Sequence, residues 1–342
     1  MVVLRDLQAA QRPATPGEAA VLARWSGWGA VPRVFDEQAE EHSEVRAQLH
    51  GLLDHREWQA AARTTLNAHY TDAGLAAAMW RSVLGAGLSE LLADGDPVRV
   101  LEPGCGAGTF LGLAPTGVDT LIGVEVDPTT AAIAAQLYPH AEIRRQSFAE
   151  TRLPDGSLDL VIGNVPFAKT VLHDRVHNPA RHALHNYFIL KSLALTHPGG
   201  VVAVLTSHWT LDAVNPAARR DIAALADLVT AVRLPRTAHQ RAAGTEVITD
   251  VLLLRRRDPA HRLSPAADAT GWDTVVGIGG DDEQPVNVNR YFLDNHDQVL
   301  GVTGTRSGPH GRQLAVPGGP SGPIPGSLPG SLTGYLTGTA SP

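Results

Sequence analysis

The sequence predicts an α/β fold: a doubly wound, mostly parallel sheet with an antiparallel edge hairpin and a helical N-terminal extension. From Val98 onward, short apolar segments alternate with helical stretches of ordinary length, which is typical of a parallel sheet covered on both faces. Two later apolar segments are separated by a polar loop with no helix, which indicates a hairpin. The first 70 residues carry helix start and stop signals instead.

The N-terminal extension is predicted to cover residues 1–66. Its clearest helix begins at Thr15, a capping residue that is followed by proline at the first helical position and by Glu18 at the third. A second helical stretch is predicted around 45–63, and Asp72 is a candidate cap for a third helix that ends in glycines.

The sheet is predicted to lie within residues 67–260. Its parallel strands are predicted at 98–101, 120–126, 141–145, 158–163 and 201–206, and the edge hairpin at 228–234 and 246–254. Residues 261–302 are predicted to form an extension or linker. Residues 303–342 contain 10 Gly, 7 Pro and no acidic residue, which predicts a disordered tail because so little apolar surface can be buried.

The composition indicates in which cellular compartment the protein is expected and which part of the chain is positively charged. The 342 residues carry a formal net charge of −7 and a single cysteine, Cys105, so no disulfide can form within the chain and a reducing, cytoplasmic location is expected. No segment approaches the ~18 apolar residues of a membrane span. Residues 169–262 nevertheless hold 13 lysines and arginines against 7 acidic residues, a net of +6. We expect this basic stretch to contact DNA phosphates, with arginines scattered over the surface as the alternative.

A glycine-rich turn follows the first predicted strand, in the sequence VRVLEPGCGAGTFL. Glycines at this place allow a tight turn and a close approach of the backbone to a ligand. Glu125 ends the next strand, where a carboxylate can accept the hydroxyls of a ribose. The glycine spacing differs from that of the dinucleotide fingerprint, and Glu102 precedes the turn. Because Glu102 can hold a positively charged group, the turn favours S-adenosylmethionine over a nicotinamide cofactor.

A second constellation follows the strand at 158–163. Asn164 and the carbonyl of Val165 can accept the two hydrogens of an exocyclic base amine and so localise its lone pair, while Phe167 offers a flat face for a base swung out of its helix. Binding both reactants in line supplies most of the remaining catalysis. The residues predicted to act at the acceptor are Asn164, Val165, Pro166 and Phe167.

With these motifs, residues 60–260 resemble the catalytic domain of amino-methyltransferases of the N6-adenine DNA methyltransferase kind, which have the Rossmann-like class I fold. The family's acceptor motif is Asn, Asp or Ser followed by Pro-Pro and an aromatic, so Val165 and Phe167 depart from its usual Pro and Tyr. The segment NAHYTD (67–72) matches the family's upstream cofactor segment. The residues predicted to contact the cofactor are Tyr70, Thr71, Glu102, Gly104, Gly106, Gly108, Glu125 and Val126.

Two further segments resemble parts of very large bacterial, phage and plasmid proteins that fuse such a methyltransferase to a helicase. They are SGWGAVPRVFDE (26–37) and VNVNRYFLDNHDQVLG (286–301). No helicase motif and no obvious target-recognition domain accompany them, so a truncated or split member with a helicase or target-recognition partner is expected. Trp25 and Trp28 could stack a base, although core packing or helicase docking is the stronger expectation.

The expected function is therefore methyl transfer to adenine N6 in DNA. Cytosine N4, guanine N2 in RNA and a protein glutamine remain open as alternative acceptors, as does a non-catalytic module that binds S-adenosylmethionine or DNA and needs a helicase partner. Four histidines crowd the loop after the acceptor motif: His173, His177, His182 and His185. No cysteine or suitably placed acid joins them, so no metal site is expected.

Overall fold

The computed structural model describes residues 1–65, 71–168, 170–239, 246–258, 271–279, 285–308 and 311–317. Its central feature is a seven-stranded sheet in the order β3-β2-β1-β4-β5-β7-β6. The strands are β1 (Val98–Pro103), β2 (Val118–Glu125), β3 (Glu142–Arg145), β4 (Leu158–Asn164), β5 (Thr196–Ser207), β6 (Ala226–Leu234) and β7 (Thr249–Arg256). The first five strands are parallel to one another, and β7 pairs antiparallel with both β5 and β6. The predicted fold class is confirmed.

Helices flank the sheet and precede it. They are α1 (Val2–Ala10), α2 (Pro16–Leu22), α3 (Ser43–Leu52), α4 (His55–Thr64), α5 (Ala73–Val83), α6 (Ser89–Asp94), α7 (Pro128–Leu137), α8 (Leu184–Leu195), α9 (Trp209–Asp212), α10 (Ala217–Leu225) and α11 (Arg290–Asp294). Thr15 caps α2 in a capping box with Glu18, and Asp72 caps α5, as predicted. No helix in the described ranges is both long and apolar enough to span a membrane.

Two hydrophobic clusters cover the two faces of the sheet. Alternate strand residues point to opposite faces, so Val100 packs with α5 on one side while its neighbour Leu101 packs with α8 on the other. β4 shows the same alternation, with Leu160 and Val161 in different clusters. Burial on both faces explains why these strands are almost continuously apolar.

The helical stretch predicted at 45–63 is two helices rather than one. Leu53 adopts an extended conformation at the end of α3, and Asp54 then caps α4 by accepting a hydrogen bond from the backbone N–H of Glu57 at 2.8 Å. The Glu57 side chain in turn accepts the Asp54 N–H, which completes a capping box. A capping box inside the stretch therefore starts a new helix.

The C-terminal part of the chain is more ordered than predicted. The prediction of disorder from Thr303 is wrong for residues 304–308 and 311–315, where β10 (Gly304–Gly308) and β11 (Gly311–Ala315) pair antiparallel. The pair of strands is held because Leu314 and Val316 are buried in the core and the Arg236 N–H donates to the Val316 carbonyl. Residues 318–342 of the predicted tail lie outside the described residues.

The predicted extension or linker at 261–302 also joins the core where it is described. β8 (Val275–Ile278) and β9 (Val286–Asn289) pair, and Phe292 of α11 is fully buried. Asn289 ties this segment to the sheet domain, because its N–H donates to Asp212 and its side-chain amide donates to the Leu211 carbonyl, both at 2.8 Å.

Candidate cofactor and acceptor site

A cavity of about 430 Å³ lies at the carboxyl ends of β1, β2 and β4. In an open α/β sheet this edge is where ligands bind, and the volume is within the range of small-molecule sites. The cavity is lined by the ends of these three strands, by the segment after β3, by the acceptor motif and by part of the N-terminal extension. The fold therefore brings both predicted constellations to one cavity.

The glycine-rich turn forms one wall. Gly104 and Gly106 have φ values of +71° and +54°, a backbone region that glycine adopts without strain. The Cys105 N–H donates to the Val124 carbonyl at 2.9 Å and holds the turn against β2. Burial raises the pKa of the Cys105 thiol well above its usual range, which opposes a nucleophilic role for it.

Gly108 has a different position from the one predicted. It does not line the cavity, and a β-carbon at this residue would lie 2.5 Å from the ring of Tyr138. Its φ of +88° also favours glycine. Gly108 therefore allows the turn to pack closely against the ring of Tyr138, the residue that follows α7.

Two carboxylates lie at the site: Glu102 is buried and Glu125 is half-buried. Glu125 accepts hydrogen bonds from the backbone N–H groups of Gly106 at 3.0 Å and Asp127 at 2.7 Å, and burial raises its pKa to about 7. Glu102 is only 3% exposed and accepts the Leu111 N–H at 3.1 Å, and burial raises its pKa well above the usual range. A bound cation, such as the ammonium of an amino acid, would favour the ionised form of Glu102.

The acceptor motif continues directly from β4. Asn164 pairs in register with Leu205 of β5, and the Val165 N–H donates to the Leu205 carbonyl at 3.0 Å. A proline at position 165 could not make this bond. Val165, which departs from the pattern of the resembled family, is thus held by a backbone hydrogen bond to β5 that fixes the main chain at this position. Phe167 is half-buried and packs against both hydrophobic clusters.

The other predicted residues are placed as follows. Thr71 and Val126 line the cavity together with Glu102, Gly104, Gly106, Glu125 and the four acceptor-motif residues, whereas Tyr70 lies outside the described residues. The sequence did not point to Phe148, which follows β3 and lines the cavity; the rule that ligands bind at the carboxyl ends of strands could have indicated it. Gly27 and Arg63 of the N-terminal extension also line the cavity; the resemblance of segment 26–37 did not indicate a cofactor contact for Gly27, and no local signal marked Arg63.

The histidine-rich loop after the acceptor motif is held by carboxylates from the loop itself and from other parts of the chain. His177 contacts Asp174 at 3.3 Å and Asp155 at 3.1 Å, and His182 contacts Asp221 of α10 at 2.7 Å. These are pairwise hydrogen bonds between one histidine and one or two carboxylates, so the acids hold the loop in place. Across the described ranges, no group of three or more His, Cys, Asp or Glu is arranged to hold a metal ion.

The basic stretch 169–262 is only partly a surface feature. Lys191, Arg219 and Arg233 are fully buried. Lys191 donates to the Phe148 carbonyl at 2.6 Å, so it ties α8 to the cavity wall rather than to a ligand on the surface. The net charge of the segment therefore overstates the positive charge available for contact with phosphates.

Comparisons with known proteins agree with this geometry. Residues 101–182 match the family described as "Methyltransferase domain". The chain is 26% identical over 197 residues to the Defense against restriction protein B of Escherichia phage P1, an alignment that covers 56% of this chain and 8% of that protein. It is 40% identical over 63 residues to a probable S-adenosylmethionine-dependent methyltransferase of Mycolicibacterium smegmatis, which covers 18% of this chain and 24% of that protein.

A solved structure shows a looser likeness. The type I restriction-modification system methyltransferase subunit from Streptococcus thermophilus is 15% identical, with a TM-score of 0.48, over 78% of this chain and 62% of that one. The chain spans less than a quarter of the length of the curated relatives described above. The matched residues 101–182 include the glycine-rich turn, Glu125 and the acceptor motif. The chain thus carries a methyltransferase domain, and the cofactor of that domain is S-adenosylmethionine.

Proposed function

We propose that this chain transfers the methyl group of S-adenosylmethionine to an exocyclic amine of a nucleic-acid base, with adenine N6 in DNA as the substrate. The observation that carries the proposal is that Asn164, Val165, Pro166 and Phe167 line the same cavity as Glu102, Gly104 and Glu125. An acceptor held by the first set therefore lies beside a nucleoside held by the second. Proximity of this kind accounts for a large part of the barrier reduction in group transfer.

The residues of the chain would hold the two reactants in different ways. Bound S-adenosylmethionine supplies an activated methyl group on its positively charged sulfur. Glu125 would accept the ribose hydroxyls, and Glu102 would neutralise the ammonium of the methionine end. Asn164 and the Val165 carbonyl would accept the two amine hydrogens, which localises the lone pair of the nitrogen, and Phe167 would stack on the base.

Exposed cations near the acceptor loop support a nucleic acid as the substrate. Arg175 and Arg181 lie in this loop and are exposed. Arg220 is exposed on α10, next to Asp221, which holds the loop through His182. Phosphate contacts of this kind position a nucleic acid without reading its sequence. The name of the phage relative, which refers to defense against restriction, also supports DNA as the acceptor.

The reaction is tested by incubating the full chain with methyl-labelled S-adenosylmethionine and mixed-sequence DNA, and identifying the labelled nucleoside by chromatography and mass spectrometry. We expect label in N6-methyladenine. Parallel reactions contain single-stranded RNA and a glutamine-containing peptide as acceptors. Label in N4-methylcytosine, in RNA or in the peptide would overturn the assignment to adenine N6. No transfer by a chain that still binds the cofactor would favour a module that needs a helicase partner.

We predict that affinity for the cofactor product, S-adenosylhomocysteine, rises with pH between about 6 and 8. The pKa of Glu125 in the unliganded protein is raised to about 7, and ribose hydroxyls donate better to the ionised carboxylate than to the protonated one. Affinity should therefore increase as pH passes through the pKa. Titration calorimetry at several pH values measures this dependence. The Glu125→Gln variant should bind S-adenosylhomocysteine more weakly, and its affinity should lose most of the dependence on pH. The Glu90→Gln variant, changed at an exposed residue of α6, should follow the native curve. A native curve that is flat with pH would contradict the prediction.

A further inference from the structure

The N-terminal extension supplies part of the cofactor cavity. Gly27, from the segment SGWG, lines the cavity with a φ of +75°. Ala60, Arg63 and Thr64, all on α4, line it as well. These residues are far in sequence from the methyltransferase motifs, so the fold has brought a separate segment to the ligand.

Two tryptophans join this segment to the start of α7. The Trp28 indole N–H donates to Asp127 at 3.3 Å, and the Trp25 indole N–H donates to the hydroxyl of Thr130 at 3.1 Å. The two indole rings meet edge to face, with their centroids 4.7 Å apart, and Trp28 packs in the same way against Phe35. Trp28 is only 2% exposed. Trp28 is therefore packed in the interior, and the half-buried Trp25 covers its ring at the edge of the same cluster.

Asp127, which accepts the hydrogen bond from Trp28, also belongs to the cavity wall. It lines the cavity two residues after Glu125 and is only 2% exposed. Its Oδ2 accepts the Thr130 N–H, as the cap of α7, and the indole N–H of Trp28. Its Oδ1 is buried and has no hydrogen-bond partner among the described residues. Buried carboxylate oxygens are rarely left without a donor, so a vacant acceptor on a cavity wall indicates a ligand group.

We propose that Asp127 is a second carboxylate acceptor for the nucleoside half of the cofactor, and that Trp28 holds it in place. Its Oδ1 would accept a polar hydrogen of the nucleoside, from a ribose hydroxyl or from the exocyclic amine of the adenine. The SGWG segment is then part of the cofactor site rather than only a packing element. The N-terminal extension would close over the same ligand that the glycine-rich turn binds from the other side.

Binding of S-adenosylhomocysteine to the full chain, measured by calorimetry, tests the proposal without requiring catalysis. Asp127→Asn keeps a good helix cap but loses the charge, and we expect it to weaken binding by about 10- to 100-fold, the range for hydrogen bonds to charged groups. Trp28→Phe keeps the ring packing and removes only the indole N–H, so a smaller loss, about 3- to 10-fold, is expected. Trp58→Phe, in the same aromatic cluster, is the matched control and should bind like the native chain.

The donor is identified with an analogue of S-adenosylhomocysteine in which inosine replaces adenosine, so that an oxygen stands in place of the exocyclic amine. If Asp127 accepts from the ribose, Asp127→Asn weakens both ligands by the same factor. If it accepts from the amine, the analogue already binds weakly to the native chain and Asp127→Asn weakens it no further. Native affinity in folded Asp127→Asn would overturn the proposal. So would an equal loss in Trp28→Phe and Trp58→Phe, since that would show only a general loosening of the extension.

Discussion

Asn164→Ala is expected to slow methyl transfer by about 100- to 1000-fold, the loss that follows removal of one preorganised hydrogen-bonding group from an active site. The variant loses the side-chain oxygen that would orient the base amine and localise its lone pair. The Val165 carbonyl remains, because the Val165 N–H bond to Leu205 holds the main chain. Single-turnover rates, with the protein in excess over labelled S-adenosylmethionine and saturated with DNA, measure the effect on the chemical step.

Cofactor binding separates this effect from damage to the fold. Glu125 and Gly106 are on other strands or turns, so affinity for S-adenosylhomocysteine in Asn164→Ala should stay close to the native value. Asn164→Asp is the conservative comparison, because Asp keeps an acceptor oxygen and also occurs in the acceptor motif of the resembled family. We expect it to retain more activity than the Ala variant. A native transfer rate in Asn164→Ala would remove Asn164 from the mechanism.

Arg233→Met is expected to destabilise the protein by about 3–5 kcal/mol, the cost of breaking a buried ion pair by removing one partner. Arg233 is fully buried, donates to both carboxylate oxygens of Asp250 at 2.8 and 2.9 Å, and contacts Asp212 at 2.9 Å. Its guanidinium also lies 4.0 Å from the ring centroid of Phe292. The substitution would leave two buried carboxylates without their cation. Urea unfolding followed by circular dichroism measures the free energy of unfolding.

Two further variants show whether the loss arises from unpaired charge. Arg220→Met replaces an exposed arginine on α10 and should change the free energy of unfolding by less than about 0.5 kcal/mol. Replacing Arg233, Asp212 and Asp250 together by Met, Asn and Asn removes the charges as a set, and this triple variant should be more stable than Arg233→Met alone. A triple variant that is less stable than the single one would argue that shape, not charge, makes Arg233 necessary.

The strands and the ligand-bearing ends of the sheet could be predicted from the sequence because each depends on local patterns. Apolar runs such as 158–163 need no distant partner to be recognised, and Gly104, Glu125 and Asn164 each stand at a strand end. Their meeting in one cavity then follows from the parallel order of the strands. Prediction succeeded where one short segment of sequence determines both the chemical type of a residue and its position at the end of a strand.

The remaining features depend on contacts between distant segments. Lys191 and Arg233 count as surface charge in a composition, but burial and partners elsewhere in the chain make them internal. The paired strands β10 and β11 are glycine-rich like a disordered segment, yet Leu314 and the following Val316 are buried in the core. Trp28 contacts Asp127, which lies 99 residues further along the sequence, and no local pattern predicts that contact.

This wide spacing of contacts has a consequence for how the chain acquires its structure. The partners of Trp25 and Trp28 lie 105 and 99 residues further along the chain, and Asn289 binds a residue 77 positions before it. Folding rates fall as contacting residues become more separated in sequence. During synthesis the apolar faces of α1 and α2, with Leu7 and Leu22, stay uncovered until Ile133 of α7 has emerged. The nascent chain therefore passes through a stage at which these apolar faces are open to chaperones, and the lining of the ligand cavity is complete only after Phe188 has emerged.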